Sequence, residues 1–161
     1  MKIICIICMR GNSQEIKNKN LISINKKPLM YYTIKSAIRS KLFDKIVVSS
    51  DSKKIQNLSK KLGAEVIFSR PKKLSRNNIP KLNAIKHAVL ESEKYYKKKF
   101  DYVFDLDVTA PCRDAKDIIK AFKKFKKSKK DMLVSVTRSK KNPYFNMLEI
   151  KNKRISIVKK T

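Results

Sequence analysis

Glycine is almost missing from this chain, with two residues in 161. Neither G-x-G-x-x-G nor G-x-x-x-x-G-K-[ST] occurs. That excludes the ordinary dinucleotide fingerprint and the P-loop, both of which need glycine where the backbone closes on phosphate. Three cysteines are too few for a disulfide scaffold. Cys5 and Cys8 are spaced as C-x-x-C, yet residues three apart on a strand point to opposite faces. No second pair follows and the single histidine is His87, so Cys5 and Cys8 read as core residues, and Cys112 and His87 as packing residues. No apolar run approaches the ~18 residues of a membrane span. Arg10 and polar residues follow the N-terminal apolar run where a signal peptide would need small residues. The expectation is a cytoplasmic protein without membrane attachment.

Acidic residues are also scarce: 13 against 41 Lys and Arg, a formal charge of +28. The basic residues are mostly lysine and spread along the whole chain, without an Arg-rich block. With Lys, Asn and Ile all abundant, the bias reads as AT-rich codon usage rather than a dedicated nucleic-acid surface. Such a field still attracts polyanions non-specifically.

What the chain does have is a strand–helix alternation. Ile3 to Met9 is an unbroken apolar run, the pattern of a buried strand. Pro28 is placed as a first helical residue ahead of Met30, Ile34, Ala37 and Ile38. Ile46–Val48 predicts a second strand, and Asp51 an N-cap for a helix carrying Ile55, Leu58 and Leu62, stopped by Gly63. Val66–Phe68 predicts a third strand, Leu82 to Val89 a helix, Tyr102–Phe104 a fourth strand, and Asp114 onward a helix with Ile118, Phe122 and Phe125 on one face. Met132–Val136 predicts a fifth strand, and 146–150 with 155–158 a hairpin around Asn152-Lys153. The fold class is α/β: a three-layer, Rossmann-like domain with a mostly parallel sheet, read as one domain over 1–161.

In such a sheet the loops after the strands share one edge, where ligands bind. Four here are polar: 10–20, 49–51, 69–80 and 107–113. Without a glycine-rich loop, a phosphate site would use loop amides with Arg10 and Lys19, the first a planar fork and the second a point charge. Asp105 and Asp107, two apart, face the same way. A carboxylate pair at a strand end can hold Mg²⁺. Asp105 reads as a hydrogen-bonded structural residue and Asp107 as the ligand-facing one.

The run R-G-N-S-x-x-x-x-x-K-N from Arg10 to Asn20, followed by Lys27-Pro28-Leu29, resembles the N-terminal signature of the CMP-N-acylneuraminate synthetases. The likeness continues in order through Phe43 to Asp51, Leu62 to Val66, Arg70-Pro71, Leu106 to Arg113, Val134 to Thr137 and Asn142 to Phe145. These cytidylyltransferases activate sialic acid and related nonulosonic acids such as legionaminic acid, for cell-surface glycans. The resemblance implies that CTP binds over the first loop. The sugar's anomeric hydroxyl attacks the α-phosphorus, and pyrophosphate leaves with help from Mg²⁺. It implies catalytic roles for Arg10 and Lys19, and nucleotide binding by Gly11, Asn12, Ser13, Asn20, Arg70, Asn77 and Lys81. Asp107, Thr109 and Arg113 would face nucleotide and sugar, with Asp107 also toward metal. A homodimer is implied for the full-length family.

Three departures stand beside it. Gln14 occupies the position of a customary lysine, and Asn77 that of a customary aspartate. The family's C-terminal dimerisation segment and late I-D-x-D motif have no counterpart in these 161 residues. A catalytically inactive nucleotide- or polyanion-binding remnant is therefore the alternative from another class, and KDO cytidylyltransferase the alternative within the same reaction type.

Overall fold

A computed structural model describes residues 1–12, 16–151 and 154–159. The chain divides into two compact units, Met1–Lys127 and Ser128–Thr161.

In the first unit, β1 (Ile3–Cys8) leads through a 3-10 turn, Lys19–Leu21, to a two-residue-per-strand hairpin, β2 (Ser23–Ile24) and β3 (Lys27–Pro28). Then come α1 (Leu29–Ser40), β4 (Lys45–Ser49), α2 (Lys53–Lys61), α3 (Lys81–Tyr96), β5 (Tyr102–Asp105) and α4 (Ala115–Ser128). The sheet order is β4-β1-β5, with both pairings parallel. Because β1 is central, its residues are buried from both sides, which is what its unbroken apolar run requires.

The alternation of β1 sorts its side chains between two layers of helices. Cys5, Ile7 and Met9 pack with Met30, Ile34 and Ala37 of α1, Ile55 of α2 and Ile118 of α4. Ile4 and Ile6 pack with Val47 and Ala88 of α3. The three-layer α/β architecture with a parallel sheet is the one expected. Cys5 and Cys8 do fall on opposite sides, and all three cysteines are free thiols. Complete burial of an isoleucine contributes about 1.5–3 kcal/mol. Ile4, Ile6 and Ile7 are all fully buried, so β1 is the energetic centre of this unit.

Three details of this unit differ from the sequence reading. Pro28 precedes the helix as its cap, with Leu29 the first helical residue. Asp51 does not cap α2. Ser52 stands in that position without a side-chain capping bond, because the Asp51 carboxylate is engaged by the Gly11 amide at 2.9 Å. Val66–Phe68 is not a strand. Glu65 makes a single parallel bridge to Val47, after which Ile67 and Phe68 pack into the cluster around Ala88 rather than extending the ladder. Their apolar character serves packing against α3, and the backbone rejoins β4 only at Arg70, whose amide donates to the Ser50 carbonyl.

The other expectations for this unit hold. Gly63 follows α2 with a φ of 95°, a left-handed conformation suited to glycine. Asp114 and Asp117 exchange backbone-to-carboxylate hydrogen bonds at 3.0 Å at the start of α4. His87 packs edge-on against Phe68.

In the second unit, β6 (Leu148–Lys151) and β7 (Arg154–Ile157) form the expected antiparallel hairpin, whose turn residues Asn152 and Lys153 lie outside the described residues. Met132–Val136 is not a strand. It has no ladder partner among the described residues, and Val136 is 87% exposed. Among the described residues, no helix is long and apolar enough to cross a membrane.

Candidate functional site

The chain leaves β1 toward β4 on one side and returns to β5 on the other. The crevice beyond the carboxyl ends of β1 and β5 is therefore the topological switch point. A cleft of about 240 Å³ opens there.

Three segments wall it. The first is the loop after β1. Met9 is tied to the end of β4 by its amide, which donates to the Ser49 carbonyl at 2.9 Å. Gly11 passes so close to the start of α2 that a Cβ would lie 2.8 Å from the Ser52 Cβ. This is a close backbone approach that only glycine permits. Asn20, buried in the 3-10 turn, donates from its side-chain amide to the Arg10 carbonyl at 2.9 Å.

The second segment runs from 69 to 81. Arg70 is 4% exposed, and its guanidinium donates to both the hydroxyl (2.9 Å) and the carbonyl of Ser49. Burial lowers its pKa, the nearby charges of Cys8 and Asp51 oppose that shift, and Arg10 adds to it. Asn77 accepts a 2.7 Å hydrogen bond from Arg10 Nη1.

The third is the end of β5. Lys81 Nζ, from the first residue of α3, lies 2.6 Å from Asp105 Oδ2 and 3.2 Å from Asp107 Oδ2. The other oxygen of Asp107 accepts from the Thr109 amide (3.3 Å) and hydroxyl (3.1 Å). Burial pushes the Asp107 carboxyl up, but the Lys81 charge and the Thr109 hydrogen bonds outweigh it and hold the group below its ordinary range. Burial likewise pulls Lys81 down, and the two aspartates more than reverse that. At neutral pH this cluster is one ammonium between two carboxylates.

The fold thus gathers Arg10, Lys19, Asn20, Arg70, Asn77, Lys81, Asp107 and Thr109 around one cleft. Gly11 shapes it through its backbone. Asn12 is exposed and does not line it, and Ser13 and Gln14 lie outside the described residues. Arg113 does not share the cleft. Its guanidinium turns back to donate to the Asp107 carbonyl (2.9 Å) and to Thr33 of α1 (3.4 Å), and it borders a separate depression with Tyr31, Tyr32 and Arg39. Arg76 and Leu74 line the cleft without having been singled out in the sequence, and Cys8, read there as a core residue, lines it too. Arg76 was legible as a second arginine of the 69–80 loop. Cys8 was hidden because a strand-end residue reads as core, and burial does hold its thiol pKa up.

Asp105 and Asp107 both direct an oxygen at one point that already holds a positive charge. No group of three His, Cys, Asp or Glu suited to a metal occurs among the described residues. One or two carboxylates are what Mg²⁺ usually takes from a protein, with substrate phosphate and water completing its shell, and Asp105 and Asp107 have oxygen donors of that kind, both engaged here by Lys81.

Residues 4–157 match the family model described as Cytidylyltransferase. Among curated relatives, the "Post-translational flagellin modification protein B" of Campylobacter coli is 41% identical over 154 residues, 96% of this chain and 66% of that protein. The "CMP-N,N'-diacetyllegionaminic acid synthase" of Campylobacter jejuni is 41% identical with the same coverage. The chain thus spans 66% of the length of these relatives. Among solved structures, a CMP:2-keto-3-deoxy-manno-octonic acid synthetase complexed with CTP superposes with a TM-score of 0.63 at 16% identity, over 80% of this chain and 48% of that one, a likeness of fold.

Proposed function

This chain belongs to the cytidylyltransferase family, and from that premise we propose that it transfers CMP from CTP to a nonulosonic acid and releases pyrophosphate. The observation that carries this reading is the cleft at the switch point, where five cationic residues, Arg10, Lys19, Arg70, Arg76 and Lys81, gather around Asp107, with Asp105 bound to the same lysine. Phosphoryl transfer asks a protein mainly for position and for charge stabilisation. In the reaction a sugar hydroxyl oxygen bonds to the α-phosphorus, its proton passes to solvent, and the bond from that phosphorus to the bridging oxygen of pyrophosphate breaks.

Arg10 and Lys19 bind the phosphate oxygens on which charge accumulates. Asn20 and Asn77 fix the loops that present them. Arg70, buried and bound to Ser49, is assigned to framing the nucleotide pocket rather than to gripping phosphate. Asp107, oriented by Thr109, faces the incoming sugar. Mg²⁺ would be held by Asp107 with Asp105, and when bound it supplies charge neutralisation at the phosphates. The name of the Campylobacter jejuni relative favours a legionaminic-type acid as the acceptor.

The test is pyrophosphate release by the full chain supplied with CTP, MgCl₂ and either N-acetylneuraminic or N,N'-diacetyllegionaminic acid. Release that requires both CTP and the sugar supports the reading. CTP binding without release with either acid points to the non-catalytic nucleotide binder.

A further inference from the structure

We propose that Asn20 and Asn77 are positioning residues that clamp Arg10 from both ends and leave its charge uncancelled for a polyphosphate. The proposal deepens the reading above, on which its nucleotide part rests. The two contacts are directionally unambiguous. A guanidinium only donates, so Asn77 presents its oxygen to Arg10 Nη1 at 2.7 Å. A carbonyl only accepts, so Asn20 presents its nitrogen to the Arg10 main chain at 2.9 Å. One asparagine comes from the 3-10 turn before β2. The other comes from the loop between a second 3-10 turn, Lys72–Ser75, and α3. Arg10 therefore ties together two loops that are distant in sequence.

Arg10 needs this restraint because of its neighbour. Arg70 lines the same cleft, and like charges that share a cleft repel. Arg70 cannot yield, being buried and bound to Ser49. An unrestrained Arg10 would rotate outward to water. A carboxylate at position 77 would hold it equally well but would neutralise it. A side-chain amide uses one of the five guanidinium N–H groups and removes no charge, so the remaining donors stay available to an anion. Among the described residues, Arg10 makes no salt bridge, whereas Lys81 across the cleft makes two.

The experiment compares the wild-type 161-residue chain with Asn77→Asp and Asn77→Ala in calorimetric titrations at physiological salt. Inorganic tripolyphosphate serves as the base-free probe, beside CTP and cytidine. Melting curves verify folding, and because position 77 lies in an exposed loop both variants are expected to fold. The clamp predicts that Asn77→Asp weakens tripolyphosphate about tenfold, as a charge-assisted contact is neutralised. Asn77→Ala should weaken it only about threefold, since the charge survives but its position is lost. In both variants the loss for tripolyphosphate exceeds any loss for cytidine, which carries no phosphate. A merely structural role predicts the opposite order, with Asp close to wild type and Ala worse. That order, or no effect of either variant on tripolyphosphate, overturns the proposal. If the tripolyphosphate series behaves as expected while wild-type CTP binds no tighter than tripolyphosphate, the clamp stands and the nucleotide reading falls.

Discussion

The two walls of the cleft hold their cations in opposite ways. On the wall built from the loop after β1 and the 69–79 segment, Arg10 is held by Asn77 and Arg70 by Ser49, all neutral acceptors. On the wall built from α3 and the end of β5, Lys81 is held by two carboxylates. The first wall keeps its positive charge; the second is an ion cluster of net charge near −1. In a chain of +28, then, the number of lysines does not define an anion site. The partners of the cations do, because a solvated lysine offers a polyphosphate little that other surface lysines do not. The first wall, neutral only in its acceptors and so positive, is suited to attract phosphate, and the second, net negative, to exchange one cation for another.

The largest expected effect breaks the frame of the first wall. Arg70→Met removes two charge-assisted hydrogen bonds from a site that is 4% exposed and leaves the Ser49 groups unpaired. At about 1.5 kcal/mol or more for each such bond, stability falls by about 3 kcal/mol, read as a lower urea midpoint. A loss below 1 kcal/mol would mean that Arg70 does not frame the wall. Next, Gly11→Ala sets a Cβ 2.8 Å from that of Ser52. Backbone displacement at the loop then costs about 1–3 kcal/mol, seen in the same titration. Ala tolerated without cost would show that the loop is free to shift, which would undo the preorganisation argued for Arg10.

The contrast between the walls also explains what the sequence disclosed. β1 was legible because a central parallel strand must be apolar on both faces, and the helices because their apolar residues recur with helical spacing. Among the cleft residues, Arg10, Lys19 and Asp107 were legible because switch-point loops follow strands in a known order, whereas Asn20, Arg70, Asn77, Lys81 and Thr109 entered only through the family resemblance. What stayed hidden depended on partners remote in sequence. Asp51 looked like a helix cap, yet its carboxylate is taken by Gly11, 40 residues earlier. Val66–Phe68 had strand composition, but an apolar triplet satisfies packing under α3 as well as a ladder does. Arg113 followed the β5 motif into the expected loop, and only the proximity of Thr33 in α1 decides that it turns away. Local pattern encodes which face a residue occupies; it does not encode which hydrogen-bonding partner reaches it first.

Lys81→Met sharpens the comparison at the other wall. It removes the ammonium and leaves Asp105 and Asp107 as adjacent uncompensated charges facing the cleft. CTP affinity in the absence of divalent cation falls about tenfold, and Asp105→Asn in the same chain restores part of it. Stability changes little, because the pair is about a third to a half exposed and such bridges contribute about 0–1 kcal/mol. Unchanged affinity would mean that the cluster lies outside the field felt by the nucleotide.

The smallest effect is the pH dependence of that same cluster, and its sign follows from the two shifts. Asp107 is held below its ordinary value in the fold, so its contribution is complete above the unfolded value of about 3.9 and is lost as pH falls through the folded one. Lys81 is held above its ordinary value, so its contribution is complete below about 10.4 and is lost as pH rises through the folded one. Between those limits the cluster contributes a constant amount, a few tenths of a kcal/mol after solvent screening. Asp107→Asn should therefore leave urea midpoints parallel to wild type from about pH 5 to 9 and reduce the loss of stability below about pH 4. The acceptors of the first wall, Asn77 and the Ser49 groups, do not titrate and add nothing to that acid-side loss. A variant that altered the slope near neutrality would place an additional titrating partner on Asp107 and remove the distinction between the two walls.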